Sequence, residues 1–374
     1  MSSFKVNVNP DIIKWSIKAI NMPEDILVKK MGIKKSTFKK WIDKEDRPTY
    51  VQLQKLSKIV KIAPLAFMSE KVPLDIPMGV FRDYNGKIEK SYDTLLKIKQ
   101  IKFYQDVVET LDENLGMQKE PDIEFYSIDS DPEEVAIKER KKFLSLSNQE
   151  DMKDKYMALN EFRSNMENQN IFVMQMSFND IRGFSLTGKN PVFIVLNSKE
   201  DPTARLFTLF HEYAHILIRK NESDIVNSDY AYFSSSDNIE TWCNNFASYF
   251  LMSDSLIIDS WEKYENIEKV VNYLSNKYKL SYSMIFYRLY KLNYITDYKD
   301  AYNKFIENKK KENNKKAKVN YYTKVRSGYG NKYINLVNDN YLKNEITLSD
   351  ALMFLNIKIS GYDQLMEKVN KWNI

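Results

Sequence analysis

The sequence predicts an α+β fold that is mostly helical and contains one small sheet. Over most of the chain, apolar residues recur three and four positions apart, which is the period of a helix packed on one face. The middle of the chain differs, because short apolar runs at 171–176 and 192–197 flank another short segment at 181–186. Runs of this length predict three strands beside the central helices.

The chain is long enough for two or three domains. The positions of proline, glycine and charged runs indicate where these domains divide. We predict four short helices at 10–20, 23–31, 34–44 and 49–62, and then a proline- and glycine-containing connector at 73–90. Helices are expected next at 92–115, 132–145 and 149–168, and in the tail, notably at 348–355. A lysine-rich run at 303–319 is interpreted as a solvated helix end or linker. The predicted domains are 1–72, 73–295 and 320–374, the last being small and helical.

Composition excludes several classes of protein. The chain has 374 residues, 43% of them apolar and 29% charged, as in globular proteins. The first residues lack the apolar core of a signal peptide, and no run of eighteen apolar residues occurs, so we expect no membrane association. A single cysteine rules out disulfides within the chain and fits a reducing environment. We therefore expect a cytoplasmic protein.

The only two histidines of the chain are four residues apart, at His211 and His215, with Glu212 after the first. Two histidines placed at random would show this spacing about once in 200 cases, before the glutamate is considered. Residues i and i+4 lie on one face of a helix, so both imidazoles can bind one metal ion. Glu212 can then reach a water on that metal, as in the H-E-x-x-H site of zinc metallopeptidases. The alternative is an exposed helix with two incidental histidines.

A catalytic zinc ion needs three protein ligands and an open position, so a third ligand is expected downstream. Ile218 and Asn221 exclude the longer motif that supplies a third histidine. Most candidate carboxylates lie in a polar stretch that we interpret as a loop: Glu222, Asp224, Asp229 and Asp237. Glu240 instead begins a second helical segment, which would hold a ligand more rigidly. Its alternative role is a favourable charge in the first turn of a helix.

Cys243 follows Glu240 in the same segment and could be proposed as a nucleophile or as a ligand. Both histidines are better explained by a metal, so we interpret Cys243 as a small apolar residue packed on the helix.

Five segments together are similar to the ImmA/IrrE family of zinc metallopeptidases: 170–173, 181–186, 192–197, 207–212 and 240–247. The resemblance extends over about residues 75 to 290, in order and spacing. It implies a zincin-like domain in which His211, His215 and Glu240 bind Zn²⁺ and Glu212 is the general base. It also implies a substrate, since members typically cleave a helix-turn-helix repressor and so relieve transcriptional repression. Ser253 stands where many members have proline.

The first 72 residues are basic, with 15 Lys or Arg against 7 Asp or Glu, whereas the remainder carries a net charge of −3. A small basic domain indicates contact with nucleic acid. Its third predicted helix begins with polar and basic residues suited to phosphates and base edges: Lys34, Lys35, Ser36, Thr37, Lys39 and Lys40. The segment resembles an XRE-type helix-turn-helix domain, although Val28 stands where that family has a small alanine.

The sequence thus predicts a zinc endopeptidase that cleaves a helix-turn-helix repressor and binds DNA through its own N-terminal domain. A homodimer is a further expectation, because such domains usually bind paired half-sites. Two alternatives stay open. The chain could be a DNA-binding regulator with a structural or inactive zinc site, or an antitoxin-like protein whose peptidase fold only binds a partner. The N-terminal bundle could also be a protein-binding module without affinity for DNA.

Overall fold

The computed structural model describes most of the chain, in these ranges: 5–18, 20, 22–60, 62, 67–68, 92–117, 120–143, 149–187, 191–218, 237–309 and 320–370. Within these ranges the chain forms seventeen α-helices and one three-stranded sheet, which confirms the predicted mostly helical α+β fold. The chain divides into two compact units. The first comprises Met1–Phe103 with Asn227–Ser234, and the second Tyr104–Val226 with Ser235–Ile374. The predicted domain limits remain predictions.

The first unit contains four short helices, as predicted: α1 (Pro10–Lys18), α2 (Glu24–Met31), α3 (Lys35–Ile42) and α4 (Tyr50–Val60). They surround a core that includes Leu27, Phe38 and Trp41, each at most 2% exposed. A tight turn joins α2 to α3. Gly32 adopts a left-handed conformation there, with φ of 65°, and its amide donates to the Lys29 carbonyl. Glycine favours this ending because it has no Cβ to clash in that conformation.

A three-stranded sheet lies in the second unit, with strands β1 (Ile171–Met176), β2 (Gly183–Leu186) and β3 (Val192–Asn197). The described strands are ordered β1-β3-β2, so β3 is central, parallel to β1 and antiparallel to β2. All six residues of β3 are buried, which explains its continuous apolar run. Strand β2 was predicted to begin at residue 181 and begins instead at Gly183.

Among the described residues, nine further helices precede the last part of the chain, and all but the first of them contribute to the main core of the second unit. These helices are α5 (Tyr92–Asn114), which begins in the first unit, α6 (Pro132–Arg140), α7 (Lys155–Asn168), α8 (Pro202–Leu217), α9 (Asp237–Leu251), α10 (Asp254–Tyr264), α11 (Ile267–Tyr278), α12 (Tyr282–Lys291) and α13 (Tyr298–Lys309). Aromatic rings fill the contact between α8 and α9, where Phe210 and Phe250 stack with ring centroids 3.9 Å apart. This contact holds the two helices in a defined register.

Two helices are shorter than the sequence predicts, for local reasons. The helix expected over 149–168 begins at Lys155, because the Asp154 side chain caps it by accepting from the Tyr156 and Met157 amides. The helix expected over 132–145 ends at Arg140. Three successive amides there donate to the carbonyl three residues earlier, as in a 3₁₀ turn, and the last of these bonds runs from the Phe143 amide to the Arg140 carbonyl. The lysine-rich run at 303–319 is described only as far as Lys309, the end of α13.

The last part of the chain folds into four helices: α14 (Tyr321–Tyr329), α15 (Asn331–Leu342), α16 (Leu348–Phe354) and α17 (Tyr362–Asn370). They belong to the second unit, and α14 contacts the sheet along β1. The buried Arg163 of α7 connects α14 to β1. Its Nη1 donates to the Ser327 carbonyl of α14 at 2.7 Å, and its Nε donates to the Val173 carbonyl of β1 at 3.1 Å. Gln175 of β1 also donates to the Ser327 carbonyl, at 3.0 Å. Helix α14 therefore covers the β1 side of the sheet.

Hydropathy of the described helices agrees with the absence of an apolar run in the sequence. Within the described ranges, no helix combines the length and the apolar character needed to cross a membrane.

Gly330, between α14 and α15, is predicted to be essential for this packing. Its φ of 88° and ψ of 157° fall in a region that only glycine occupies readily. A Cβ there would lie 2.8 Å from Arg163 Nη2 and 3.0 Å from the Val173 carbonyl oxygen. We expect Gly330→Ala to lower the free energy of unfolding by about 3 kcal/mol, through backbone strain and overpacking. Urea denaturation followed by circular dichroism measures this loss.

Gly116 provides the matched control, because it also has a positive φ, of 64°, and an added Cβ would meet no atom within 4 Å. Gly116→Ala should cost only about 1–2 kcal/mol, the cost of the left-handed conformation itself. Equal losses in the two variants would contradict the close packing at Gly330.

Candidate metal centre

Helix α8 carries both histidines and is fixed in the core by its apolar face. Asp201 caps its start by accepting from the Thr203 amide at 3.0 Å, and Pro202 occupies the first helical position. Its apolar residues recur three and four positions apart and are buried: Leu206, Leu209, Phe210, Ala214 and Leu217. The helix is therefore anchored along its length, as a rigid site requires.

Helix α9 brings Glu240 to the histidines. The helix packs against α8 through Phe246 and Phe250, while Glu240 lies near its start. Aromatic packing along the rest of α9 thus sets the position of the carboxylate. Glu240 is held on a packed helix, as predicted.

Among the described residues, His211, His215 and Glu240 form a group whose ligating atoms all lie within 4.8 Å of one another. The two histidine Nε2 atoms are 3.2 Å apart. Glu240 reaches both, with Oε2 at 3.3 Å from His211 Nε2 and Oε1 at 3.4 Å from His215 Nε2. One carboxylate therefore closes a triangle with both imidazoles.

These distances suit a tetrahedral metal ion. Ligand atoms about 2.0 Å from a tetrahedral zinc ion are separated from each other by about 3.3 Å. Two imidazoles and one carboxylate also form a donor set of the catalytic type, which leaves a fourth position open. The side chains are 5–19% exposed, so the group is largely buried but accessible. The residues present therefore fit a zinc ion.

Electrostatics around His211 favour positive charge. Burial lowers the pKa of its imidazole, but the hydrogen bond to Glu240 and the nearby charges of Glu212 and Glu240 outweigh burial and raise the pKa overall. The same negative groups would stabilise a metal cation. His211 Nδ1 is buried and has no hydrogen-bond partner in the part of the chain described here.

Glu212 lies outside the triangle and faces the sheet. Its side chain is buried, and its Oε2 accepts a hydrogen bond of 3.0 Å from the Ser185 hydroxyl of β2. The sequence did not single out Ser185, because a serine in a short strand has no motif of its own. The contact of Ser185 with Glu212 follows only from the packing of β2 against α8.

Cys243 is packed as predicted and is a poor nucleophile. It is fully buried, and burial, together with the charges of Glu240 and Glu212, raises the pKa of its thiol well above the ordinary value. The thiol therefore stays protonated.

The sequence offers four other carboxylates as candidate ligands. Three of them lie outside the described residues: Glu222, Asp224 and Asp229. The backbone of Asp237 begins α9, but its side chain is not described.

The predicted DNA-contacting residues lie in the first unit, at the start and along α3. Lys34 precedes the helix at its cap position, and Thr37 is partly buried. The others are exposed: Lys34, Lys35, Ser36, Lys39 and Lys40. Lys35 forms an ion pair with Asp25 of α2 at 2.8 Å, so one of the four lysines already has an acidic neighbour.

Metal binding should depend on the triangle and not on the cysteine. We expect His215→Ala and Glu240→Gln each to weaken zinc binding by more than about a hundred-fold, because each removes a direct ligand. Metal analysis after dialysis against a competing chelator measures this. Cys243→Ala is the matched control on α9 and should retain the metal. Equal metal loss in that variant would contradict the proposed ligand set.

A comparison with known protein families finds a match over the region that contains the three candidate ligands. Residues 166–290, about a third of the chain, match the model of the IrrE N-terminal-like domain, Peptidase_M78. This range contains the whole sheet together with α8 and α9, and therefore all three members of the triangle. No curated protein matches the chain. The match supports a metallopeptidase-like domain, similar to those of IrrE proteins, at residues 166–290.

Proposed function

We propose that the chain is a zinc-dependent endopeptidase. The observation that carries this proposal is the convergence of His211, His215 and Glu240, with donor atoms spaced for a tetrahedral ion. The match to an IrrE N-terminal-like domain over the same residues supports it independently. A structural zinc site would need a fourth protein ligand. Among the described residues, the group contains three.

In the proposed peptide hydrolysis, the zinc ligands and Glu212 would have different roles. Zinc held by the triangle would polarise the scissile carbonyl and make water acidic enough to lose a proton near pH 7. In support of this role, Glu212 directly follows His211 in the same buried helix, and its charge acts on the His211 imidazole. It would accept the proton of the attacking water and pass it to the leaving amine. His211, His215 and Glu240 would orient the reaction without transferring protons.

For the substrate, we propose a helix-turn-helix repressor whose cleavage relieves transcriptional repression. Support comes from the similarity of residues 166–290 to an IrrE N-terminal-like domain and from the resemblance of the wider sequence to ImmA/IrrE peptidases. Helix-turn-helix proteins expressed together with this chain are therefore the first substrates to test.

Glu212→Gln should abolish cleavage and leave zinc bound. The amide has nearly the same shape as the carboxylate but cannot accept the proton of water, so only the chemical step is lost. We expect turnover to fall by at least about a hundred-fold, in line with general base catalysis. Mass spectrometry of fragments, after coexpression with candidate repressors, compares the wild type with the variant.

Zinc content is the control in this experiment. A variant that retains zinc and full cleavage would refute Glu212 as the base. A wild-type chain that binds zinc and forms a stable complex with a repressor, without cutting it, would favour the binding-protein alternative.

We also propose that the first unit binds DNA through α3. The supporting observations are the basic charge of residues 1–72, the tight turn at Gly32 between α2 and α3, and the exposed lysines of α3. Lys34, Lys39 and Lys40 would contact phosphates, because exposed lysines release condensed counterions from DNA. Lys35 would contribute less, since it pairs with Asp25.

Replacing Lys34, Lys39 and Lys40 together with alanine should weaken DNA binding and reduce its dependence on salt. Each phosphate contact that is lost lowers the slope of log K against log salt concentration by about 0.9. Fluorescence anisotropy with labelled duplex DNA, at several salt concentrations, measures both effects. Zinc content and peptide cleavage should be unchanged.

The matched control removes the same charge from other helices of the unit. It replaces three exposed lysines of α1 and α4 with alanine: Lys14, Lys18 and Lys58. If this control weakens binding as much as the α3 variant, the contact is general electrostatic attraction and α3 is not the recognition helix.

A further inference from the structure

Strand β2 approaches α8 so closely that its first residue must be glycine. A Cβ on Gly183 would lie 2.6 Å from Thr208 Cγ2 and 2.8 Å from the Val195 carbonyl oxygen, closer than packed atoms allow. The same Cβ would also be 3.8 Å from Glu212 Cγ. The strand therefore passes directly over the face of α8 that carries Thr208 and Glu212.

The periods of the two elements then bring Ser185 over Glu212. Thr208 and Glu212 are four residues apart in a helix, about 6 Å along its axis. Gly183 and Ser185 are two residues apart in a strand, about 6.6 Å, and their side chains share one face. Because Gly183 lies against Thr208, the next residue on that face, Ser185, lies against Glu212.

The contact between these two side chains is buried and specific. Ser185 is 1% exposed and Glu212 is 8% exposed, and the Ser185 hydroxyl donates to Glu212 Oε2 at 3.0 Å. Hydrogen bonds to charged groups are stronger than those between neutral groups, particularly when water is excluded. Ser185 is also held by the sheet, since it pairs with Ile194 of the central strand.

We propose that Ser185 is the positioning residue for Glu212. Its hydroxyl holds one carboxylate oxygen, fixes the orientation of the side chain and leaves the other oxygen for the attacking water. A short side chain on a paired strand suits this role, because it has little freedom of its own. The inference rests on the proposed peptidase function and adds a residue to it.

Ser185→Ala should lower kcat by about ten- to a hundred-fold, the effect of losing one hydrogen bond to a charged group. KM and zinc content should stay near wild-type values, because neither depends on the hydroxyl. The substrate is a quenched fluorogenic peptide chosen from a mixed-sequence library by wild-type turnover. Ser185→Thr keeps the hydroxyl and should recover part of kcat.

Ser260→Ala is the matched control. Ser260 is also a buried serine of the second unit, and its hydroxyl donates to the Leu256 carbonyl at 2.7 Å within α10. This variant loses a buried hydroxyl of the same kind and should retain wild-type kcat. A fall in kcat equal to that of Ser185→Ala would mean that general loss of packing explains both results.

A second measurement needs neither metal nor turnover. Urea denaturation of the metal-free chain is compared for Ser185→Ala, Glu212→Ala and the double variant. Side chains in direct contact give non-additive changes, whereas distant ones add. We expect the double variant to be less destabilised than the two single changes combined. The pair Ser260→Ala and Glu212→Ala should be additive.

The outcomes separate the two hypotheses. Additivity for Ser185 and Glu212, or an unchanged kcat in Ser185→Ala beside an active wild type, would overturn the positioning role. A wild type without zinc-dependent turnover would overturn the peptidase function and with it the catalytic part of this inference. A non-additive cycle would still support the hydrogen bond itself.

Discussion

The packing of α9 against α8 is the constraint on which the candidate site depends. The stacked rings of Phe210 and Phe250, 3.9 Å apart, set the register between the two helices. With that register, Glu240 reaches both histidines at 3.3 and 3.4 Å. A cavity at this aromatic contact would loosen the ligand triangle as well as the core, because well-packed side chains transmit displacement to their neighbours. Stability of the second unit and the geometry of the three candidate ligands are therefore physically coupled.

Helix α8 has two different neighbours near the candidate site. It meets α9 where it carries the imidazoles of His211 and His215, and it meets β2 where the adjacent residue Glu212 accepts a hydrogen bond from Ser185. The ligands and the proposed base are thus positioned by separate neighbours. Since Glu212 is fixed from the sheet, its orientation does not depend on the metal, which is the kind of preorganisation that catalysis requires.

The C-terminal helices have a structural role at the other side of the sheet. Arg163 and Gln175 join β1 to the Ser327 carbonyl, and Gly330 allows the chain to pass closely over them. A sheet edge with unpaired backbone groups promotes aggregation unless it is covered. Helix α14 of the last part of the chain lies along β1, whereas β2 contacts α8, the helix that carries the two histidines. The two outer strands therefore have different neighbours.

The sequence by itself determined the local features of this protein. The spacing of His211 and His215 predicts one face of a helix, and the apolar periods predict the helices and strands, because both depend on neighbours within a few residues. Glu240 could be favoured but not separated from other carboxylates, and Ser185 was not recognised at all. Both are brought to α8 by contacts between residues distant in the chain. Only the tertiary structure decided them, because no local period encodes which strand or helix packs against which.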